Sequence, residues 1–379
     1  MNRRLCLRWF AALTCSAALA AQVAAAAACV QAAPECGEWI SLPGTTLRAR
    51  VFRSLPLDVP NPAIKRALVI VHGGSRDAED NLRHALGAAF LAGALDDTVI
   101  VSPRFASNGA LEAATAGAEN AVAAARSPAR DVLAPDELNW VSQFGPRHWN
   151  AGGVAVNASV TSYEVIDEIL KKLAKKTAFP NLRAIVVAGH SSGGQFVSRY
   201  HMVNRVHESL GVKLTYVIAN PGAYTYLDAL RPTPAAWPEA MSSAMPGYVA
   251  QAPTASAPAF APYADARNCA SFDTWPYGLK SRVGYAERAS DEQLRQQVVN
   301  RPATFVFGEL DVLPLVNFDI SCPAMAQGAS RLARGLAYTR YLRERYAARH
   351  EVVVVPGCGH HTRCMLSSDP VLPLLFPKD

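Results

Sequence analysis

Residues 189–193 read Gly189-His190-Ser191-Ser192-Gly193. Small residues two before and two after a central serine fit the G-x-S-x-G pattern, so Ser191 stands at the centre and Ser192 is its neighbour. A turn this tight has no room for larger side chains, and it exposes the serine where a strand meets a helix. Alone, a serine hydroxyl is a weak nucleophile. It needs a base to take its proton and an acid to orient that base. Candidates for both follow it in the chain. TFVFGELD puts Asp311 just past an apolar run, with Glu309 as a rival acid and Asp319 as a weaker one. EVVVVPGCGHHT puts His360 after a second run, with His361 as its rival. The backbone N–H of Ser192 would face an oxyanion. A second donor is expected from Gly73 or Gly74, in the His72-Gly73-Gly74 turn after an earlier run. His72 reads as a structural histidine that bonds this loop. Together these residues suit acyl transfer through a covalent intermediate.

Such groups must be held by strands that end side by side. Apolar runs at 67–74, 98–105, 183–194, 214–222, 304–311 and 351–357 mostly lack polar alternation, as buried parallel strands do. EWISL and LRARVF flank Pro43-Gly44 and predict an N-terminal hairpin. Helical periodicity falls between the runs, at 162–176, 195–206 and 330–349. On the last of these stripes Thr339 is the one polar residue. The alternation predicts an α/β fold: a mostly parallel, doubly wound sheet of about eight strands. Segments at about 106–160 and 223–301 interrupt the rhythm and predict insertions forming a partial lid. They are rich in aromatics, including Phe144, Trp237 and Tyr248, and four of these, Trp140, Trp149, Trp275 and Tyr277, are candidates for a substrate wall. The alternative for each is plain core packing.

The chain has 379 residues, half of them apolar, and a formal charge of +6. No basic block with interleaved aromatics is present, which argues against a nucleic-acid partner. Arg3, Arg4 and Arg8 precede an Ala-rich apolar stretch, so 1–28 reads as an export signal, leaving 29–379 as one domain. No later run has the roughly 18 clean apolar residues of a membrane span. Six cysteines follow the signal, an even number that suits disulfides in an exported protein. Cys29–Cys36 and Cys358–Cys364 could close local loops, which leaves Cys269 with Cys322; buried free thiols are the alternative. No Cys-x-x-Cys pair suggests a metal, and the expected chemistry requires no cofactor.

GHSSGG, HGG, GELD and GCGHH, in that structural context, resemble the α/β-hydrolase superfamily over roughly residues 65–379. More narrowly, SYEVIDEIL, FPNLRAIVVAGHSSGGQFVSRY and AQGASRLARG resemble a group of secreted bacterial α/β hydrolases. The resemblance implies a Ser191–Asp311–His360 triad and hydrolysis of a carboxylic ester, small or polymeric. Secreted poly(3-hydroxybutyrate) depolymerases and feruloyl or acetyl-xylan esterases share the serine motif. A serine peptidase is the alternative enzyme, and a non-catalytic binding protein on the same scaffold is the alternative from another class.

Overall fold

The structure, a computed structural model, describes residues 28–109, 131–142, 145–233, 259–315 and 317–378. The expected export signal lies outside the described residues except for its last position, as do Phe144, Trp237 and Tyr248. The six apolar runs and the two strands of the N-terminal hairpin form one eight-stranded sheet. In chain order they are β1 (Gly37–Ser41), β2 (Arg48–Arg53), β3 (Arg66–Val71), β4 (Thr98–Pro103), β5 (Ala184–His190) and β6 (Lys213–Ala219). A separate ribbon, β7 (Leu230–Pro232) with β8 (Phe260–Pro262), precedes β9 (Ala303–Gly308) and β10 (Glu351–Val355). The sheet order is β1-β2-β4-β3-β5-β6-β9-β10. The first two pairings are antiparallel and the rest are parallel.

Helices cover both faces. They are α1 (Ala78–Leu91), α2 (Ser162–Leu173), α3 (Ser192–Val203), α4 (Asp291–Asn300), α5 (Cys322–Met325), α6 (Arg331–Tyr346), α7 (Thr362–Leu366) and α8 (Leu372–Leu375). Alternate residues of β3 serve opposite cores. Val69 and Val71 pack with α2 and α3, while Leu68 and Ile70 pack with α1 and the two C-terminal helices. This two-sided burial is why the strands read as unbroken apolar runs. Helix α2 begins with a capping box, in which Thr161 and Glu164 satisfy each other's backbone N–H groups. On α6, Thr339 turns its hydroxyl back to the Gly335 and Leu336 carbonyls, which removes its polarity from the apolar stripe.

Helix α3 differs from its expected one-sided pattern: all of its residues are buried. Its outer side is covered by the 145–160 segment, where Asn150 bonds Gln195 and Arg199. The described parts of the interrupting segments pack against the body of the protein. Trp140, Trp149 and Trp275 join the same apolar cluster as β3 and α2. All three cysteine pairs expected from the sequence are present as disulfides: Cys29–Cys36, Cys269–Cys322 and Cys358–Cys364.

Asp167 of α2 is buried and accepts hydrogen bonds from Tyr200 of α3 (2.6 Å) and Tyr285 of the 259–301 segment (2.8 Å). Burial pushes its carboxyl up to about 6. A folded-state value above the unfolded one stabilises the fold at low pH, and that contribution is lost as pH rises through about 6. Thermal unfolding of the native protein and of Asp167→Asn at pH 4 and 7.5 checks this. The native protein is expected to lose several degrees more than the variant over that range.

Candidate functional site

The central strands end together, and the site lies on that edge. Val71 of β3 is level with Gly189 of β5, and His190 is level with Ala219 of β6. After His190 the chain reverses through Ser191, whose φ of 61° and ψ of −123° place it in a region that side-chain-bearing residues rarely adopt. Ser191 N–H donates to Ala219 O at 3.0 Å, and Gln195 N–H returns to Ser191 O at 2.9 Å. Glycine is required at Gly193 because α3 starts against β3 there. A Cβ would fall 2.6 Å from His72 O and closer still to Val71 O.

The sequence candidates meet at this turn. His360 Nε2 lies 2.9 Å from Ser191 Oγ, and His360 Nδ1 lies 2.7 Å from Asp311 Oδ2. With Nδ1–H donating to the carboxylate, Nε2 is free to accept from the serine hydroxyl. The Asp311 side chain is only 1 % exposed. Its second oxygen faces Arg331 Nη1 at 3.4 Å. The rivals point elsewhere. Glu309 is exposed and accepts from Gly357 N–H. Asp319 accepts from Tyr277 and Ser321 hydroxyls. His361 is exposed and caps α7 through Cys364 N–H.

The glycine turn sits opposite. A Cβ on Gly73 would lie 3.9 Å from Ser191 Cβ, and one on Gly74 would lie 3.4 Å from Ser192 Oγ. Ser192 opens α3, so its N–H belongs to the first helical turn, where backbone donors have no intrahelical partner. His72 fixes the glycine turn. Its Nε2 accepts from Phe105 N–H at 3.0 Å, so its Nδ1–H donates to Gly73 O at 2.9 Å. Complete burial pushes its imidazole down to about 4, which keeps it neutral and in this tautomer.

The aromatic candidates divide. Trp149 packs against His72 with ring centroids 4.6 Å apart and planes tilted by 60°. Trp140 meets Phe105 edge to face, and Trp275 donates to Ala151 O. All three indoles are at most 2 % exposed. Tyr277 is half-buried and bonded to Asp319. The hydrogen bonds and ring contacts of these four side chains run to residues other than Ser191 and His360. Sequence reasoning missed Arg331, which stands behind the acid, and His190, whose ring lies 4.7 Å from that of His360. The only signals were an arginine beside the Ser330 helix cap and the variable position of the serine motif.

Residues 68–373 match the model of the alpha/beta hydrolase family. The chain belongs to that family. Among solved structures, this alpha/beta hydrolase is similar in fold to LpqC, a poly(3-hydroxybutyrate) depolymerase from Bordetella parapertussis. That likeness has a TM-score of 0.51 at 18% identity and covers 90% of each chain. Poly(aspartic acid) hydrolase-1 from Sphingomonas sp. KT-1 gives 0.49 at 18% identity, over 87% of this chain and 94% of the other. An esterase from Pyrobaculum calidifontis gives 0.39 at 17%, over 89% and 83%. No protein of curated function matches in sequence. Among the described residues no helix is long and apolar enough to cross a membrane.

Gly193→Ala forces its methyl against the backbone carbonyls of Val71 and His72, which cannot swing aside. Overpacking of this kind costs about 1–3 kcal/mol. Urea unfolding is expected to show a lower midpoint with an unchanged slope.

Proposed function

We propose that this alpha/beta hydrolase cleaves carboxylic esters through an acyl-enzyme on Ser191. The observation that carries this reading is the unbroken line of hydrogen bonds Ser191–His360–Asp311, with distances of 2.9 and 2.7 Å. Ser191 Oγ attacks the acyl carbon as His360 Nε2 takes its proton. Asp311 holds the imidazole in the correct tautomer and stabilises the imidazolium. The N–H of Ser192, with that of Gly73 or Gly74, receives the negative charge on the carbonyl oxygen. His360 then returns the proton to the leaving alcohol, and water reverses the sequence to release the acid. No cofactor enters these steps.

The rim of the site favours an apolar ester. The loop that carries Asp311 exposes Leu310, Leu315 and Ile320 (48, 50 and 77 %). Poly(3-hydroxybutyrate) is therefore a second substrate to test beside small esters, as LpqC is a depolymerase of that polymer. Trp140, Trp149 and Trp275 act in this reading as packing behind the site, and Tyr277 as a link between the inserted segment and Asp319. We read 29–379 as one catalytic domain behind an export signal. Three disulfides agree with an oxidising compartment.

Hydrolysis of p-nitrophenyl esters from acetate to palmitate tests the reading. The native protein is expected to turn over. Ser191→Ala is expected to lose at least about a thousandfold in kcat. Equal inertness of both proteins across the series would refute ester hydrolysis. Cys358–Cys364 brackets His360, so its removal should loosen the base. Cys358→Ala with Cys364→Ala is expected to lower kcat about tenfold or more while the main thermal transition persists. Unchanged kcat would show that the loop needs no tether.

A further inference from the structure

We propose that Asn220 is a positioning residue that holds the acid and base loops in register with the nucleophile turn. The inference rests on the triad reading above. Asn220 follows β6 directly, is buried, and has a φ of 44°. Asparagine tolerates this left-handed conformation better than most residues. Its backbone N–H donates to Val306 O of β9 at 3.0 Å. Its side chain then reaches three loops at once. Oδ1 accepts from Gly308 N–H at 2.8 Å, three residues before Asp311. Nδ2 donates to Gly359 O at 3.4 Å, one residue before His360. The same nitrogen lies 3.4 Å from His190 Nε2, one residue before Ser191.

The chemistry of these partners selects an amide. Gly308 needs an acceptor, while Gly359 O needs a donor. His190 is buried and held neutral, well below the ordinary histidine range, mainly by desolvation. Its Nδ1 faces Thr362 Oγ1 at 3.0 Å, so an Nδ1–H tautomer leaves Nε2 as an acceptor for the amide. Aspartate keeps the acceptor and loses the donor. Glycine keeps the backbone conformation and loses both. The loops are also stitched to each other, since Leu310 N–H donates to Cys358 O at 2.8 Å. That bond joins acid loop to base loop. Within this hydrogen-bond set, the Asn220 side chain is what reaches both of them and the strand that ends at Ser191.

The experiment compares native protein, Asn220→Gly and Asn220→Asp on a p-nitrophenyl ester. Competent sites are counted by stoichiometric labelling of Ser191 with an organophosphonate, and folding is checked by near-UV circular dichroism. In both variants kcat per labelled site is expected to fall about 10- to 100-fold, with KM within about threefold, as small misplacements at reacting groups do. The loss should be larger in the glycine variant. Native kcat per labelled site in either folded variant would overturn the proposal. So would failure of both variants to fold, since the residue would then hold the fold and not the triad. A native protein that neither labels nor hydrolyses would refute the ester reading itself, a separate outcome.

Discussion

The structure depends on one strained turn. Ser191 is held in a backbone region that costs an L-residue roughly 1–3 kcal/mol. That conformation persists only if its surroundings overdetermine it. Here they do so on three sides. β3 and β6 flank β5 in fixed register, α3 starts directly against the β3 backbone, and the Ala219 carbonyl takes the Ser191 N–H. Larger residues at the flanking glycines would separate strand from helix and relax the turn.

Around that turn the site is a run of buried polar groups, each satisfied by the next. Arg331 faces Asp311, Asp311 faces His360, and His360 faces Ser191. Buried charges of this kind cost several kcal/mol unless paired and hydrogen-bonded. The neighbouring histidines, His72 and His190, are buried deeply enough to stay neutral, so they add no charge beside the base. Arg334 performs the same service for the acid loop's far end. Its guanidinium donates to the carbonyls of Gly222, Gly328 and Asp319 and tethers the loop to the segment after β6. Tyr277 then bonds the Asp319 carboxylate and brings in the inserted segment.

Much of this was legible in the sequence, for identifiable reasons. Strands buried on both faces announce themselves as unbroken apolar runs, and the central ones are present to within a few residues; the run 351–357 is also a strand, β10, but it lies at the sheet edge and exposes Val352 and Val354. The serine motif is local, so its geometry follows from five consecutive residues. Asp311 and His360 were readable as strand-end residues, while telling their hydrogen bonds from those of Glu309 and His361 needed coordinates, because neighbours one or two apart point to different sides. Helix α1 escaped notice because its buried face is built largely of alanine. Helix α4 buries only Leu294 and Val298 and gives a weak stripe. Helix α3 looked one-sided because what covers it comes from residues some fifty positions earlier. Asn220 carried no signal at all. Its partners belong to segments 30, 88 and 139 residues away, and nothing in Ile-Ala-Asn-Pro-Gly distinguishes a clasp from a turn.

The spacing of the reacting groups along the chain has a consequence for biosynthesis. Ser191 precedes His360 by 169 residues, and Asp311 precedes it by 49. A ribosome therefore releases Ser191 long before His360. The strand that precedes His360, β10, forms the edge of the sheet and docks on β9. Parallel pairings of this separation form late, since loop closure must precede contact. Until β10 has docked and the loop after it has followed, Ser191 Oγ has no imidazole beside it. A nascent chain can thus fold the Ser191 turn before the hydrogen bond to His360 is able to form.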